Sequence, residues 1–164
     1  MDNASESCDW LSILQSLAES EIDFLVVGGA ALILHGIPRT TIDIDIFIPA
    51  EISTFSELLD LLSNKLGLVS KVDSLDKFLS DPDLLTGQWI PFAIPDGPDI
   101  LDVYFCRACE FNTYSDSAEV IDFNGFPVNL ADIDTLRKMK KNCGRSIDLA
   151  DIALIDEYKS IKND

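Results

Sequence analysis

Hydrophobic and polar residues follow one another in patterns that predict alternating strands and helices from residue 23 onward. DFLVVGG, residues 23–29, is an apolar run ending at paired glycines, and it predicts a strand buried on both faces. AALILHG then predicts a short helix that ends at Gly36. RTTIDIDIFI, residues 39–48, alternates polar and apolar positions, so it predicts a second strand, which Pro49 ends.

Amphipathic helices are predicted on either side of this strand–helix–strand unit. CDWLSILQSLAE, residues 8–19, places apolar residues at helical spacing, and Ser7 or Asp9 is expected to cap its start. STFSELLDLLSNKLG, residues 53–67, predicts a helix with Ser53 or Thr54 as its cap and a glycine just past its end. Both helices present one apolar face to a core.

The second half of the chain predicts further strands followed by a helical tail. GLVSKVD, GQWIPFAIP and PDILDVYF are expected to be strands, SDPDLLTG a turn, and the CRAC after the third strand a loop. AEVIDFNGFPVNL predicts a hairpin that turns at Asn124-Gly125. DIDTLRKMKKNCG and SIDLADIALIDEYKSI predict two helices separated near Gly144. The order of elements indicates a mixed α/β (α+β) fold with helices flanking a central sheet.

Length and composition predict a single domain over 1–164, with a helical tail over 131–164. The chain has 164 residues and 47% hydrophobic residues, ample for one core. No apolar run approaches the roughly 20 residues that span a bilayer. Its first residues, MDNASESCDW, are acidic and polar and do not resemble a signal peptide. The expected location is therefore cytoplasmic, without a membrane.

The net charge of −17 argues against an extended nucleic-acid-binding surface. Phosphate neutralisation by Lys and Arg supplies most nucleic-acid affinity, and here 12 such residues face 29 Asp and Glu. The acidity is also consistent with a role in solubility alone or with docking onto a basic protein partner. A local basic patch remains compatible with these totals.

Four cysteines and one histidine make a poor metal set. Cys106 and Cys109 form a C-x-x-C, but no second pair lies at zinc-site spacing. We expect ordinary thiols in a reducing compartment. His35 is interpreted as a residue that packs at the end of its helix and not as a catalytic base.

Two carboxylates, Asp43 and Asp45, stand out because aspartate is depleted in strands and like charges on one face repel. Side chains at i and i+2 of a strand point the same way, about 6.6–6.8 Å apart. A hard cation such as Mg²⁺ or Mn²⁺ would turn this repulsion into attraction. Asp102, on a later strand, is a candidate third ligand if the two strands are neighbours. The alternative is an edge strand with a solvated acidic face.

Gly28 and Gly29 lie where a strand meets a helix, which lets the backbone approach a phosphate closely, although a tight turn alone also explains such a pair. No dinucleotide fingerprint or P-loop is present. Arg39 is the first residue of the predicted acidic strand. The tail carries a basic cluster that is equally compatible with a solvated helix face and with phosphate binding, namely Arg137, Lys138, Lys140, Lys141 and Arg145.

A family resemblance rests on these motifs. VVGGAALILHGIPRTTIDIDIFI resembles the strand, glycine pair, short helix and R-x-T-x-D-x-D strand of the DNA polymerase β-like nucleotidyltransferase superfamily. It is most similar to the minimal nucleotidyltransferases and to the nucleotidyltransferase-like toxins of abortive-infection systems. LRKMKKNCGRSIDLADIALI resembles their C-terminal helices, in which a Lys precedes a G-R-x-x-D-x-x-D segment.

This resemblance implies a nucleotidyltransferase fold and a metal-dependent transfer of a nucleoside monophosphate from an NTP, with release of pyrophosphate. It implies that Asp43, Asp45 and Asp102 are catalytic and bind Mg²⁺ or Mn²⁺. The nucleotide would be bound by the glycine pair and by polar residues, namely Gly28, Gly29, Arg39, Thr41, Lys138, Lys141 and Arg145. The chain departs from many active members in carrying glycine at position 29, where they carry serine.

The acceptor stays open between a small molecule, a protein hydroxyl and an RNA end. A second hypothesis is a non-catalytic nucleotide-binding or partner-binding module of the same fold, for example in a toxin–antitoxin pair. A third is an α/β domain whose acidic strand is surface decoration. The position of Asp102 relative to the other two acids separates the first two hypotheses.

Overall fold

The computed structural model describes residues 9–163. Seven strands lie in this part of the chain: β1 (Leu25–Val27), β2 (Ile44–Pro49), β3 (Val69–Ser70), β4 (Trp89–Ala93), β5 (Asp99–Cys106), β6 (Glu119–Phe123) and β7 (Phe126–Leu130). They are accompanied by the α-helices α1 (Trp10–Glu19), α2 (Gly28–Leu34), α3 (Ile52–Leu59), α4 (Asp76–Ser80), α5 (Ala108–Ser115), α6 (Ile133–Cys143) and α7 (Ser146–Lys162). None of these helices has the length and apolar character that crossing a membrane requires.

The strands form one mixed sheet in the order β3-β4-β5-β2-β1-β7-β6. Two pairs are parallel, β2 with β5 and β1 with β7, and the other pairs are antiparallel. A parallel pair needs a crossover connection, and the chain between β2 and β5 runs through α3, α4 and two antiparallel strands before returning. The predicted mixed α/β fold with a sheet flanked by helices is confirmed.

The core lies against the sheet face that carries the apolar members of β2 and β5. Ile44, Ile46 and Ile48 of β2 are fully buried, and so are alternate residues of β5 from Leu101 to Phe105. Phe55 of α3 packs edge-on against Phe105, with ring centroids 5.4 Å apart. Because side chains alternate across a strand, this face leaves the polar members of both strands on the opposite side of the sheet.

Most predicted elements are found, and the hairpin is the clearest case. β6 and β7 turn at Asn124 and Gly125, both with positive φ, as the favoured two-residue hairpin turn requires. α1 begins at Trp10 with Asp9 as its cap, since the Asp9 side chain accepts a hydrogen bond from the Ser12 amide. Ser7, the other predicted cap, lies outside the described residues.

Several predicted boundaries are wrong. The first helical hydrogen bond runs from the Phe55 amide to the Glu51 carbonyl at 2.9 Å, so α3 begins at Ile52 with Glu51, and not Ser53 or Thr54, at the cap position. Beyond α3 the helix continues as a wider π-helical segment, Asp60–Lys65. The strand predicted over 67–73 shrinks to the two residues of β3 at the sheet edge.

Two segments predicted without helix are helical. The end of α4 and a 3₁₀ turn over Pro82–Leu84 occupy the segment predicted as a turn. The loop predicted after β5 is the helix α5, which buries Phe111 and packs Tyr114 against Phe47, with ring centroids 5.5 Å apart. Its apolar face is narrow, and it depends on contacts with β2 that no local pattern reveals. Cys109 lies exposed on α5.

The helical tail is two antiparallel helices joined by a tight turn. Gly144 ends α6 in the left-handed conformation (φ +66°), and its amide donates to the Lys140 carbonyl. His35, at the end of α2, donates through Nε2 to the Ala131 carbonyl at 2.8 Å, and the Tyr158 hydroxyl donates to the His35 carbonyl at 3.1 Å. These contacts fix the tail against the glycine-led helix α2.

Candidate active site

Three aspartates converge on the sheet face opposite the core. β2 and β5 are parallel neighbours, and their register pairs Asp45 directly with Asp102. Asp43 precedes β2 by one residue. One carboxylate oxygen of each residue lies within 4.8 Å of the others. The sequence could place Asp43 beside Asp45, but only the pairing of β2 with β5 brings in Asp102.

Asp43 reaches this cluster from outside the strand. The sequence predicted a strand from residue 39, whereas β2 begins at Ile44 and residues 39–43 form an irregular segment. Thr41 holds the segment, since its hydroxyl donates to the Asp43 carboxylate at 3.2 Å. The position of Asp43 beside the other acids therefore depends on the irregular segment 39–43 that leads into β2, and not on the i, i+2 spacing of a strand.

The pKa values of two of these carboxyl groups are raised. Burial raises the pKa of Asp45 to about 7, with the charges of Asp43 and Asp102 acting in the same direction. Burial raises the pKa of Asp102 to about 6, and hydrogen bonding to Asp43 and its charge add to the rise. Ionisation of Asp45 and Asp102 therefore costs free energy in the folded protein, and a bound cation would lower that cost.

The glycine pair makes room for the site. Gly28 has a positive φ of +65°, and a Cβ there would lie 2.3 Å from Oδ2 of Asp45. A Cβ on Gly29 would lie 1.5 Å from Nη1 of Arg39, so the guanidinium occupies the space where a larger residue would place its side chain. The space beside Gly29, where the resemblance led us to expect a serine, is filled by the Arg39 guanidinium.

Arg39 is held by a buried network of opposite charges. Its Nε donates to Oδ1 of Asp151 at 2.7 Å, and Nζ of Lys140 lies 2.7 Å from the other oxygen of Asp151. Lys140 also lies 3.4 Å from Asp148. The side chains of Asp148 and Asp151 are 1% and 2% exposed, so these charges depend on one another for compensation. The network links the helical tail to the segment before β2.

Arg145 completes the network at its exposed end. It precedes α7, and its Nε donates to Asp148 at 2.8 Å while the Asp148 carboxylate accepts from the Arg145 amide at 3.1 Å. Hydrogen bonds from Arg145 hold the pKa of Asp148 below its ordinary value. The G-R-x-x-D-x-x-D segment therefore contains both the residues that cap α7, Arg145 and Asp148, and the two buried acids, Asp148 and Asp151.

The predicted basic residues do not all reach the cavity. Arg145 lines it, but Lys138 and Lys141 are exposed and are not among its lining residues, and Arg137 pairs with Asp156 on the tail surface. Lys140, which the sequence analysis did not select, lines it instead. One signal pointed to Lys140: it follows the buried Leu136 by four residues and so shares the apolar side of α6.

These groups surround a cavity of about 390 Å³. Its lining combines the three acids, the cations of the network, the segment before β2 and two apolar side chains, namely Gly29, Arg39, Thr40, Thr41, Asp43, Asp45, Trp89, Asp102, Lys140, Arg145 and Ile147. Anionic and cationic groups thus face the same space. Such a cavity suits a ligand with negative charge that binds partly through a cation.

Comparison with known proteins bears on the fold. No family model and no curated protein matches the chain. Chains of solved structures do match it, among them the following two. One is an antigenic nucleotidyltransferase-like protein from Paracoccidioides brasiliensis, 19% identical, with a TM-score of 0.54 over 88% of this chain and 72% of that one. The other is a candidate nucleotidyltransferase from Thermotoga maritima, 14% identical, with a TM-score of 0.57 over 92% of this chain and 86% of that one.

The chain has a nucleotidyltransferase-like fold. The nucleotidyltransferase fold that the sequence motifs implied is confirmed, since both neighbours share the architecture. Identities this low establish the fold alone.

Proposed function

We propose that the protein is a metal-dependent nucleotidyltransferase that moves a nucleoside monophosphate from an NTP to a hydroxyl acceptor and releases pyrophosphate. The observation that carries the proposal is the meeting of three carboxylates within 4.8 Å of one another beside a glycine turn, in a nucleotidyltransferase-like fold. The acceptor would be a small molecule, a protein hydroxyl or an RNA end. The minimal nucleotidyltransferases and abortive-infection toxins are the proposed relatives within the superfamily.

The three acids fit a hard divalent cation. All are oxygen donors, two have raised pKa values, and Gly28 leaves the space in which Asp45 lies. Asp43, Asp45 and Asp102 would hold Mg²⁺ or Mn²⁺, and the metal would supply charge neutralisation at the phosphate oxygens. Asp102, whose pKa is about 6, is also the proposed acceptor of the proton from the attacking hydroxyl.

The phosphates would be positioned by the glycine pair, of which Gly29 and not Gly28 lines the cavity, and by other lining residues. Gly28 and Gly29 would offer backbone amides, and Thr41 orients Asp43. The proposed cationic contacts are Arg39 and Arg145, to which the cavity adds Lys140. Lys138 and Lys141 stay predictions, and their exposed positions would suit only a substrate that extends beyond the cavity.

One observation favours a second function, a non-catalytic nucleotide-binding or partner-binding module such as half of a toxin–antitoxin pair. Arg39 and Lys140 are already paired with the buried Asp151, and neither is free of a partner when substrate arrives. The convergence of Asp102 with the other two acids favours transfer over this alternative, because a module that only binds nucleotide needs no third carboxylate at that point.

The deciding experiment uses NTPs labelled with ³²P at the α position, Mg²⁺ or Mn²⁺, and cell lysate separated into protein, RNA and metabolite fractions. Transfer of α label, without transfer of γ label, supports nucleotidyl transfer, and the labelled fraction identifies the acceptor class. Asp43→Asn should abolish labelling. The exposed Asp73→Asn removes the same charge away from the cavity and should leave labelling intact.

Two results would count against the enzyme. Metal-dependent NTP binding without transfer of label to any fraction would favour the non-catalytic module. Absence of any metal-dependent NTP binding, with Asp43→Asn indistinguishable from the wild type, would overturn the proposed function in both forms.

A further inference from the structure

A row of aromatic side chains lies beside the row of acids on the same sheet face. In the register of the sheet Asp45 pairs with Asp102, and two residues further along both strands Phe47 pairs with Tyr104. β4 extends the second row, because Trp89 pairs with Tyr104. Paired residues share a face of the sheet, and Asp102 lies two residues before Tyr104 on the same strand. Trp89 is therefore a diagonal neighbour of Asp102, and the Cα atoms of such neighbours lie about 7–8 Å apart.

The aromatic row is packed ring against ring. The ring centroids of Phe47 and Tyr104 are 5.0 Å apart, and those of Tyr104 and Trp89 are also 5.0 Å apart. Burial decreases outward along the row, from Phe47 at 7% exposed to Trp89 at 51%. The inner rings therefore fix the orientation of an outer indole that is half open to solvent.

Trp89 lines the cavity of the three acids. Trp89 is the only aromatic side chain that lines the cavity of the acids among residues 9–163, and Ile147 is the only aliphatic one. Ile147 is itself 54% exposed. An indole that lines the charged cavity, is held by Tyr104 and is half open to solvent offers a flat apolar face to a ligand.

We propose that Trp89 is the nucleobase platform of this site: the base of the NTP stacks on its indole while the phosphates lie at the acids. The inference rests on the proposed function and extends it to base recognition. A nucleoside triphosphate joins an aromatic base to an anionic tail. The aromatic row would take the base, and a cation held by the acids, together with the basic side chains of the cavity, would take the phosphates. Stacking on one face accepts any base, so all four NTPs are expected to bind.

Intrinsic fluorescence tests the contact directly, because the chain has two tryptophans. Trp10 lies on α1 and donates through Nε1 to the Ile42 carbonyl at 3.0 Å. In Trp10→Phe, emission comes from Trp89 alone. With Mg²⁺ present, each NTP should quench this emission, whereas inorganic tripolyphosphate, which has no base, should bind without quenching it.

Calorimetry of two variants at the same position supplies the second measurement. Trp89→Ala should weaken NTP binding about 5- to 150-fold, the range found for loss of one base–aromatic stack. Trp89→Phe keeps a ring and should lose much less. The affinity for tripolyphosphate should be the same in the wild type and both variants, since this probe touches only the charged part of the site.

The outcomes separate this inference from the proposed function. If NTPs bind the wild type and Trp89→Ala with equal affinity, or if tripolyphosphate quenches Trp89 as strongly as an NTP does, the platform is refuted while nucleotide binding stands. If neither NTP nor tripolyphosphate binds the wild type with Mg²⁺ or Mn²⁺, the proposed function fails and the inference fails with it.

Discussion

Replacing Asp151 with asparagine tests whether the buried charge network holds the helical tail in place. Asp151 is 2% exposed and receives Nε of Arg39 and Nζ of Lys140, each at 2.7 Å. Asparagine has nearly the same volume and keeps one acceptor oxygen, so packing is conserved while the negative charge is lost. The variant should be markedly less stable than the wild type, because two largely buried cations lose their shared counter-charge.

The size of the effect follows from the partners that remain. Removing one member of a buried ion pair costs about 3–5 kcal/mol. Lys140 retains Asp148 at 3.4 Å, and the new amide oxygen still accepts one hydrogen bond, so we expect the low end, about 3 kcal/mol. For a chain of this length that corresponds to a fall in Tm of roughly 6–12 °C.

The matched control lies on the same helix. Asp156 pairs with Arg137 through two hydrogen bonds of 2.8 and 3.1 Å, but the two side chains are 51% and 37% exposed. Asp156→Asn should leave the free energy of unfolding nearly unchanged, because solvent screens the exposed pair. Urea unfolding of both variants, followed by far-UV circular dichroism, gives the comparison.

Equal stability losses in the two variants would contradict the claim that the buried pairs of Asp151 stabilise the protein more than the exposed pair of Asp156. That result would mean that burial does not decide the contribution of the Asp151 network, and that the tail is held by its apolar contacts alone. A larger loss in Asp156→Asn would contradict it more strongly.

Three further predictions follow from the site and its surroundings. Gly28→Ala should destabilise the protein more than Gly36→Ala, measured by thermal unfolding: both glycines have positive φ, but only at position 28 would the new Cβ meet Asp45. Because burial raises the pKa of Asp45 above its unfolded value, the folded state binds protons more tightly, and metal-free stability at this group should fall as pH rises from about 4 to about 7. Asp45→Asn should reduce that dependence in urea titrations and leave the part that Asp102 contributes, since burial raises the pKa of Asp102 to about 6. Mn²⁺ should raise the Tm of the wild type more at pH 8 than at pH 5.5, and a pH-independent difference between the proteins would contradict the assignment. Burial raises the pKa of the Cys106 thiol to about 12, so iodoacetamide should label the exposed Cys109 far faster in the folded protein, as peptide mapping would show.

Much of the fold could be predicted from local sequence patterns, because many of its strands, turns and helix ends depend only on residues close together in the chain. The buried strand before Gly28, the Asn124-Gly125 turn and the left-handed end of α6 at Gly144 all follow from conformational preferences within a few residues. The same kind of pattern missed α5, whose narrow apolar face is stabilised by Tyr114 packing on Phe47 of β2.

The sequence alone predicted that Asp43 and Asp45 lie near each other, since they are only two residues apart in the chain. Lys140 was visible as a basic residue but was not selected, because its burial depends on how α6 packs. Its partners Asp148 and Asp151 come from α7, and Arg39, which shares Asp151 with it, lies 112 residues before that acid. No local preference encodes such a network.

The pairing of distant strands determines which side chains meet at the cavity. The pairing of β2 with β5 across more than fifty residues sets Asp102 opposite Asp45, and the pairing of β4 with β5 sets Trp89 beside both. A one-residue slip in either register would turn these side chains to the buried face. Sequence patterns identified three aspartates that could bind a metal, and they did not identify Trp89. The register of the sheet, fixed by burial of its apolar face, brought Asp102 to Asp45 and set Trp89 beside them.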